Sequence, residues 1–433
     1  MSAAAIARVT GRRVWDSRGR PTVEAEVACA GGAVGRAIAP AGASTGSGEA
    51  VDRRDGGAAF GGLDVRRAVA AVNGEIAAAL AGRDAADQAA VDALLVDLDG
   101  TPDKGRLGGN ALIAVSMAAA HAAAAARGLD LWEYLWREGG AGPVLPLPEI
   151  QIFGGGAHAG RRVDVQDFMV IAVGAADYAQ ALDWTAEVYR AAGALMAQHG
   201  LLQGVADEGG FWPAFDTNEQ ALAMLVRAIE AAGLRPGEDV AISLDIAASE
   251  FGAGGRYRLA RDGRELDSDG LCELLLGWLA RYPIVSIEDP LAEDDGAGLA
   301  RFTAAAGPGV QVVGDDFLVT DAARVRAAAA AGACNCALIK PNQAGTLTET
   351  RAALDAARAA GWGAIVSARS GESEDVTIVH LAVGWGARQL KVGSFARSER
   401  MAKWNEGLRL ADRIGTPRLP DRPLFPWGGS NTQ

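Results

Sequence analysis

After Pro148 the chain repeats one rhythm: a short apolar run, a polar residue closing it, then a helix-length stretch. The runs cover residues 240–245, 284–288, 310–315, 336–340, 364–367 and 389–391, ending at Asp245, Glu288, Asp315, Lys340, Ser367 and Lys391. Those ends lie 43, 27, 25, 27 and 24 residues apart, each interval holding about one strand and one helix. Buried parallel strands read as continuous apolar runs, and strands alternating with helices imply a parallel sheet. Six such units in series predict a closed, TIM-like α/β barrel whose chemistry sits at the C-terminal strand ends.

The first 140 residues have a different texture. Residues 8–15, 22–30 and 33–39 alternate as a small antiparallel sheet would, and from Val65 the pattern is helical. Glycines 140 and 142, with Pro143, Pro146 and Pro148, break that pattern. The expected division is a smaller α+β domain over 1–140 and a barrel over 141–433. The alanine-rich stretch 111–126 is shorter than the ~20 residues that span a bilayer, and predicts a buried helix. No membrane association is expected.

With 41 Lys and Arg against 54 Asp and Glu, the net charge of −13 argues against a nucleic-acid partner. Four cysteines in 433 residues are no disulfide framework and suit a reducing cytoplasm. Cys334 and Cys336 lack a second Cys or His pair, so zinc is not expected there. No basic segment followed by an apolar one opens the sequence as a signal peptide would.

Asp245, Glu288 and Asp315 close three successive runs. Three converging carboxylates repel one another unless a cation neutralises them, and oxygen ligands suit Mg²⁺ better than Zn²⁺. Solvated carboxylates paired with Arg or Lys are the alternative. Lys340 and Lys391 close later runs. Beside a bound cation a lysine loses some preference for its charged form and can act as a base. Proton abstraction α to a carboxylate would use that arrangement, although either lysine could simply balance the acids. Arg369 and Ser370 could fork a phosphate, and Asp207-Glu208-Gly209-Gly210 presents an acid in a glycine turn. His158, in a glycine-rich loop, is a less natural core residue than His121, His199 or His380. Two motifs mislead. Residues 42–46 fit G-x-S-x-G without a helix behind them, and 154–159 fit G-x-G-x-x-A but run into an apparent strand at 163–165.

Segments along nearly the whole chain resemble the enolase family. They include WDSRGRPTVEAEV, APAGASTGSGEA, GGGAHAG, VDVQDFM, ADEGGF, SLDIAASEF, VSIEDPLAEDD, QVVGDDFLVTD, LIKPNQAGTLTET, SARSGESED and LKVGSFARSERMAKWNEGLR. The resemblance implies an N-terminal α+β domain capping the barrel, a homodimer or higher homo-oligomer, and lyase chemistry with Mg²⁺. Carried over by motif, Asp245, Glu288 and Asp315 would hold one Mg²⁺. Ser44, on a mobile loop, would reach a second that the substrate completes. Lys340 would take the C2 proton and Glu208 would protonate the leaving hydroxyl. Lys391, Arg369, Ser370, His158, Gln166 and Asp167 would bind a small phosphorylated or phosphonylated carboxylic acid. Family work with a lysine base and Mg²⁺ is a known pattern of such sites.

The sequence departs from the family near that substrate. Ala368 replaces the histidine of SHRSGE and Asp167 the glutamate of QEFM. Gly154 replaces the asparagine of NGG, Ala206 the glycine before DEGG, and Ala41 the first serine of PSGAS. The vacated imidazole volume at Ala368 suggests a pathway-specific paralogue, such as one forming carboxyphosphonoenolpyruvate in phosphonate antibiotic biosynthesis. The alternative is an ordinary phosphopyruvate hydratase, converting 2-phosphoglycerate to phosphoenolpyruvate.

Overall fold

The computed structural model describes residues 2–137, 143–415 and 418–428. Glycines 140 and 142 of the expected domain break lie outside the described residues. The N-terminal sheet is antiparallel, with β1 (Ile6–Trp15), β2 (Pro21–Cys29) and β3 (Val34–Ile38) in that order. Asp16 shapes the turn between β1 and β2 by accepting from the backbone N–H groups of Arg18 and Arg20 at 2.9 and 2.8 Å. The alanine-rich segment forms the helix Gly109–Ala126, packed on β2 and β3. Its length and mean hydropathy would allow a membrane span, but 83% of it is buried inside the protein. The small side chains let backbones touch. A Cβ on Gly35 would stand 2.1 Å from the Ala118 carbonyl oxygen, so only glycine fits in β3 there.

The barrel has eight strands: β4 (Leu147–Gly154), β5 (Asp167–Ile171), β6 (Ala241–Asp245), β10 (Ile284–Glu288), β11 (Gln311–Gly314), β12 (Cys336–Ile339), β13 (Gly363–Ser367) and β14 (Gln389–Ser394). It closes in the order β10-β11-β12-β13-β14-β4-β5-β6. A small rim sheet of β7 (Gly252–Ala253), β8 (Arg256–Leu259) and β9 (Arg264–Asp267) lies between β6 and β10 in sequence.

Four expectations change. The sheet is not all parallel, because β5 runs antiparallel to both β4 and β6. A strand that returns directly after a loop needs no helical crossover, so its run stands outside the strand–helix rhythm. The strand expected at 163–165 is a series of bends, and β5 starts at Asp167. Lys391 does not close its strand, since β14 continues to Ser394. His199 is exposed at a helix end, its Nδ1 2.8 Å from the Leu195 carbonyl oxygen. The loop at 42–46 is followed by no helix, as expected.

The two parts of the chain are stitched by buried polar contacts. Asp92, on the helix Gln88–Asp99, accepts from the Thr348 N–H at 2.8 Å and from its hydroxyl at 2.6 Å. Ala41 and Gly371 exchange two backbone hydrogen bonds of 2.9 Å, which carries the loop after β3 over the barrel mouth.

Candidate active site

Strand register assembles the site. Asp167, Asp245 and Glu288 are lateral neighbours across β5, β6 and β10, so three carboxylates share one rim. Asp315 follows β11, Lys340 follows β12, and Ser367 pairs with Lys391 across β13 and β14. A buried carboxylate row needs compensation. Lys391 Nζ supplies part of it, 2.9 Å from Asp245 Oδ2, 2.8 Å from Glu288 Oε2 and 3.6 Å from Asp167 Oδ2. Lys340 pairs with Asp315, whose other oxygen accepts from Gln343 Nε2 at 2.9 Å.

The electrostatics follow the packing. Burial pushes Glu288 well above the ordinary carboxylate range, and neighbouring Asp245 adds to the shift. Asp315 moves down, because Lys340 and Arg369 outweigh the cost of its burial. Burial alone would lower both lysines, yet Asp315 raises Lys340, and Asp245 with Glu288 raises Lys391 further. In the field of these carboxylates the Lys340 amine is held charged, against the lowering that burial alone would give. A divalent cation held by the same carboxylates would offset part of that field. The donor set fits such a group: all its ligands are hard oxygens, and the buried Glu288 Oε1 has no hydrogen-bond partner among the described residues.

The opposite wall holds donors. His158 sits in the short 3₁₀ turn Gly156–Ala159, its Nδ1 3.1 Å from Asp167 Oδ1. Its Nε2 is 3.4 Å from Ser370 Oγ and 3.8 Å from Glu208 Oε1. Burial opposes charge on the ring, but Glu208 and Asp167 outweigh it and raise His158 to about 9. Arg369 is gripped by Glu49 at 2.9 Å, by Asn342 Oδ1 at 3.1 Å and by the Ser44 carbonyl oxygen at 2.8 Å. Ser370 Oγ accepts from the Ala43 N–H at 3.1 Å. Ser44, His158, Gln166, Asp167, Glu208, Asp245, Lys340, Ala368, Arg369, Ser370 and Lys391 line one cleft, with Glu288 and Asp315 buried beside it.

Several members carry no sequence signal of their own. Glu49 ties Arg369 to the Gly46 N–H, which it accepts at 2.9 Å. Asp289 accepts from the Asp315 and Asp316 N–H groups at 2.9 and 2.7 Å and so aims the Asp315 segment. Its place beside Glu288 was the one available hint. Arg400, fully buried, donates to the carbonyl oxygens of Arg369 and Val392 at 2.7 and 2.8 Å and braces the loop that carries Arg369.

Comparison with known proteins agrees with this architecture. The family model for "Enolase, N-terminal domain" matches residues 6–135, and that for "Enolase, C-terminal TIM barrel domain" matches residues 142–419. The chain belongs to the enolase family. The enolase of Rubrobacter xylanophilus is 49% identical over 412 residues, 95% of each chain. As an enolase-family lyase, the protein has its carboxylates and lysines at the barrel end where such folds place their chemistry.

Proposed function

We propose that the protein is a phosphopyruvate hydratase that interconverts 2-phosphoglycerate and phosphoenolpyruvate, with residues 1–140 capping a barrel of 141–433. The observation that carries this reading is the single cleft in which Lys340 and Glu208 stand with a carboxylate cluster and the Arg369–Ser370 pair. The 49% identity to a protein named Enolase supports it. Lys340 removes the C2 proton, and Glu208 gives a proton to the departing 3-hydroxyl. Lys391 binds the substrate carboxylate, while Arg369, Ser370 and protonated His158 hold the phosphoryl oxygens. Asp245, Glu288 and Asp315 would hold one Mg²⁺ and Ser44 would reach a second, supplying positive charge against the developing enolate. Asp167 fixes the His158 ring through Nδ1, and Gln166 donates to Asp245 Oδ2 at 3.1 Å, which orients that carboxylate.

The departures from the family pattern weigh less once placed. A Cβ on Gly154 would stand 2.7 Å from the Ala206 methyl, so those two substitutions are one exchange of volume rather than two changes at the substrate. Ala41 is a buried rung of the loop ladder with Gly371. Ala368 lines the cleft, and the carboxyphosphonoenolpyruvate reading rests chiefly on it. The 49% identity to a protein named Enolase favours the hydratase.

The test is the purified chain on 2-phosphoglycerate, following phosphoenolpyruvate absorbance with Mg²⁺ and again with EDTA. Metal-dependent turnover is expected. No product with Mg²⁺, alongside turnover of a substrate bearing a carboxylate on phosphorus, would overturn the reading.

A further inference from the structure

A second cavity opens at the other end of the barrel, under the N-terminal ends of β13, β14 and β4. Its free volume is about 620 Å³, within the usual range for small-molecule sites. Arg358, Arg388 and Arg418 line it, with Asp421 as the one lining acid among the described residues. That concentration of positive charge stands in a chain of net charge −13. Among the described residues, Arg388 and Arg418 have no carboxylate within ion-pair distance, and Arg358 has only Asp355 at 3.6 Å.

The Arg358 and Arg388 guanidinium groups are held by backbone carbonyl oxygens, which leaves donors for a ligand. Arg358 closes the helix Leu347–Ala359 and donates through Nη2 to the carbonyl oxygens of Trp385 and Gly386. Arg388 immediately precedes β14, and its Nη1 donates to the Leu424 carbonyl oxygen at 2.6 Å. Arg418 is fixed through its backbone bridge to Asp177. Burial, with repulsion from Arg351 and Arg388, holds the Arg358 guanidinium below its ordinary value. Like charges gathered this way are relieved by an anion. Beside them the wall is apolar: Trp362 is half-buried, and Leu424 is 45% exposed.

We infer that this cavity binds a diphosphate-bearing metabolite, with the arginines on the phosphoryl oxygens and Trp362 and Leu424 against an aromatic or apolar appendage. Forked Arg–phosphate hydrogen bonds supply the recognition, and the aromatic face favours a nucleoside diphosphate over bare pyrophosphate. The site stands at the opposite end of the barrel from the cleft and is independent of the reaction proposed there.

Calorimetric titration of the full chain with inorganic pyrophosphate and with ADP tests the inference. Both probes should bind, ADP more tightly. Arg388→Ala and Arg418→Ala should each weaken both by about tenfold or more. Trp362→Ala should weaken ADP and leave pyrophosphate unchanged. Arg369→Ala, in the cleft, should leave both unchanged. Circular dichroism and the unfolding midpoint establish that each variant is folded. Loss of binding in Arg369→Ala alone, equal binding by wild type and both arginine variants, or no binding at millimolar probe would overturn the site. Equal affinities for the two probes would overturn the apolar contact.

Discussion

At the scale of single residues, position decides what a titratable group does. His158 illustrates the sign. Its folded value of about 9 lies above the ordinary ~6.5, so its charged contacts stabilise the fold fully below about pH 6.5 and fade as pH rises through 9. In protein without added metal, urea midpoints should fall between pH 7 and 9.5, and His158→Gln should flatten that slope. An unchanged slope in the variant would show that the loss arises elsewhere. Ala368 offers a second residue-scale outcome. Restoring histidine there adds a donor beside the phosphoryl pocket, and kcat/KM on 2-phosphoglycerate should rise by about tenfold, the worth of one charge-assisted hydrogen bond. No rise would show that the pocket already compensates for the missing ring. Lys340 shows how misleading residue type alone is, because its neighbours hold the amine charged more firmly than water would.

At the scale of elements, volume is shared between segments far apart in sequence. Gly154 ends β4 and Ala206 enters the turn that carries Glu208, and a Cβ on the first strikes the methyl of the second. Gly154→Ala should therefore cost about 1–3 kcal/mol by overpacking. Ala206→Gly should cost less, and the double variant should recover part of the sum. A coupling of about 1 kcal/mol in the double-mutant cycle, read from urea unfolding, is the expected result. Simple additivity would mean that the two positions are independent. The turn itself depends on Gly209, whose φ is +95° and whose added Cβ would sit 2.6 Å from the Ala396 carbonyl oxygen.

At the scale of the whole molecule, the cap and the barrel are joined by buried groups as much as by apolar contact. Asp92 accepts from Ser116 Oγ at 2.6 Å within the cap and from Thr348 across the boundary. Asp92→Ala would leave those donors unsatisfied in a buried place. A loss of about 2–3 kcal/mol is expected, read as a lower urea midpoint. The cap's loop also carries Ser44 and Glu49, so KM for 2-phosphoglycerate should rise in the same variant. Wild-type stability would show that the joint relies on other contacts.

The rhythm of apolar runs was enough to announce a barrel with acids and lysines at its mouth, because a parallel strand buried on both faces leaves a continuous apolar signature. The helix 109–126 was legible from its alanines, but its length did not settle its place: only the packing on β2 and β3, with 83% of it buried inside the protein, shows it to be a core helix. The departures at Gly154 and Ala206 were visible too, but only as separate oddities. Their exchange of volume, the antiparallel course of β5, the place of Lys391 within β14, and the roles of Glu49, Asp289 and Arg400 depend on which strands become neighbours. Sequence by itself determined the period of the fold and the types of chemical group at its strand ends. Only the tertiary structure decided which charges face one another, because pairing and burial act through distances between segments that the linear order does not contain.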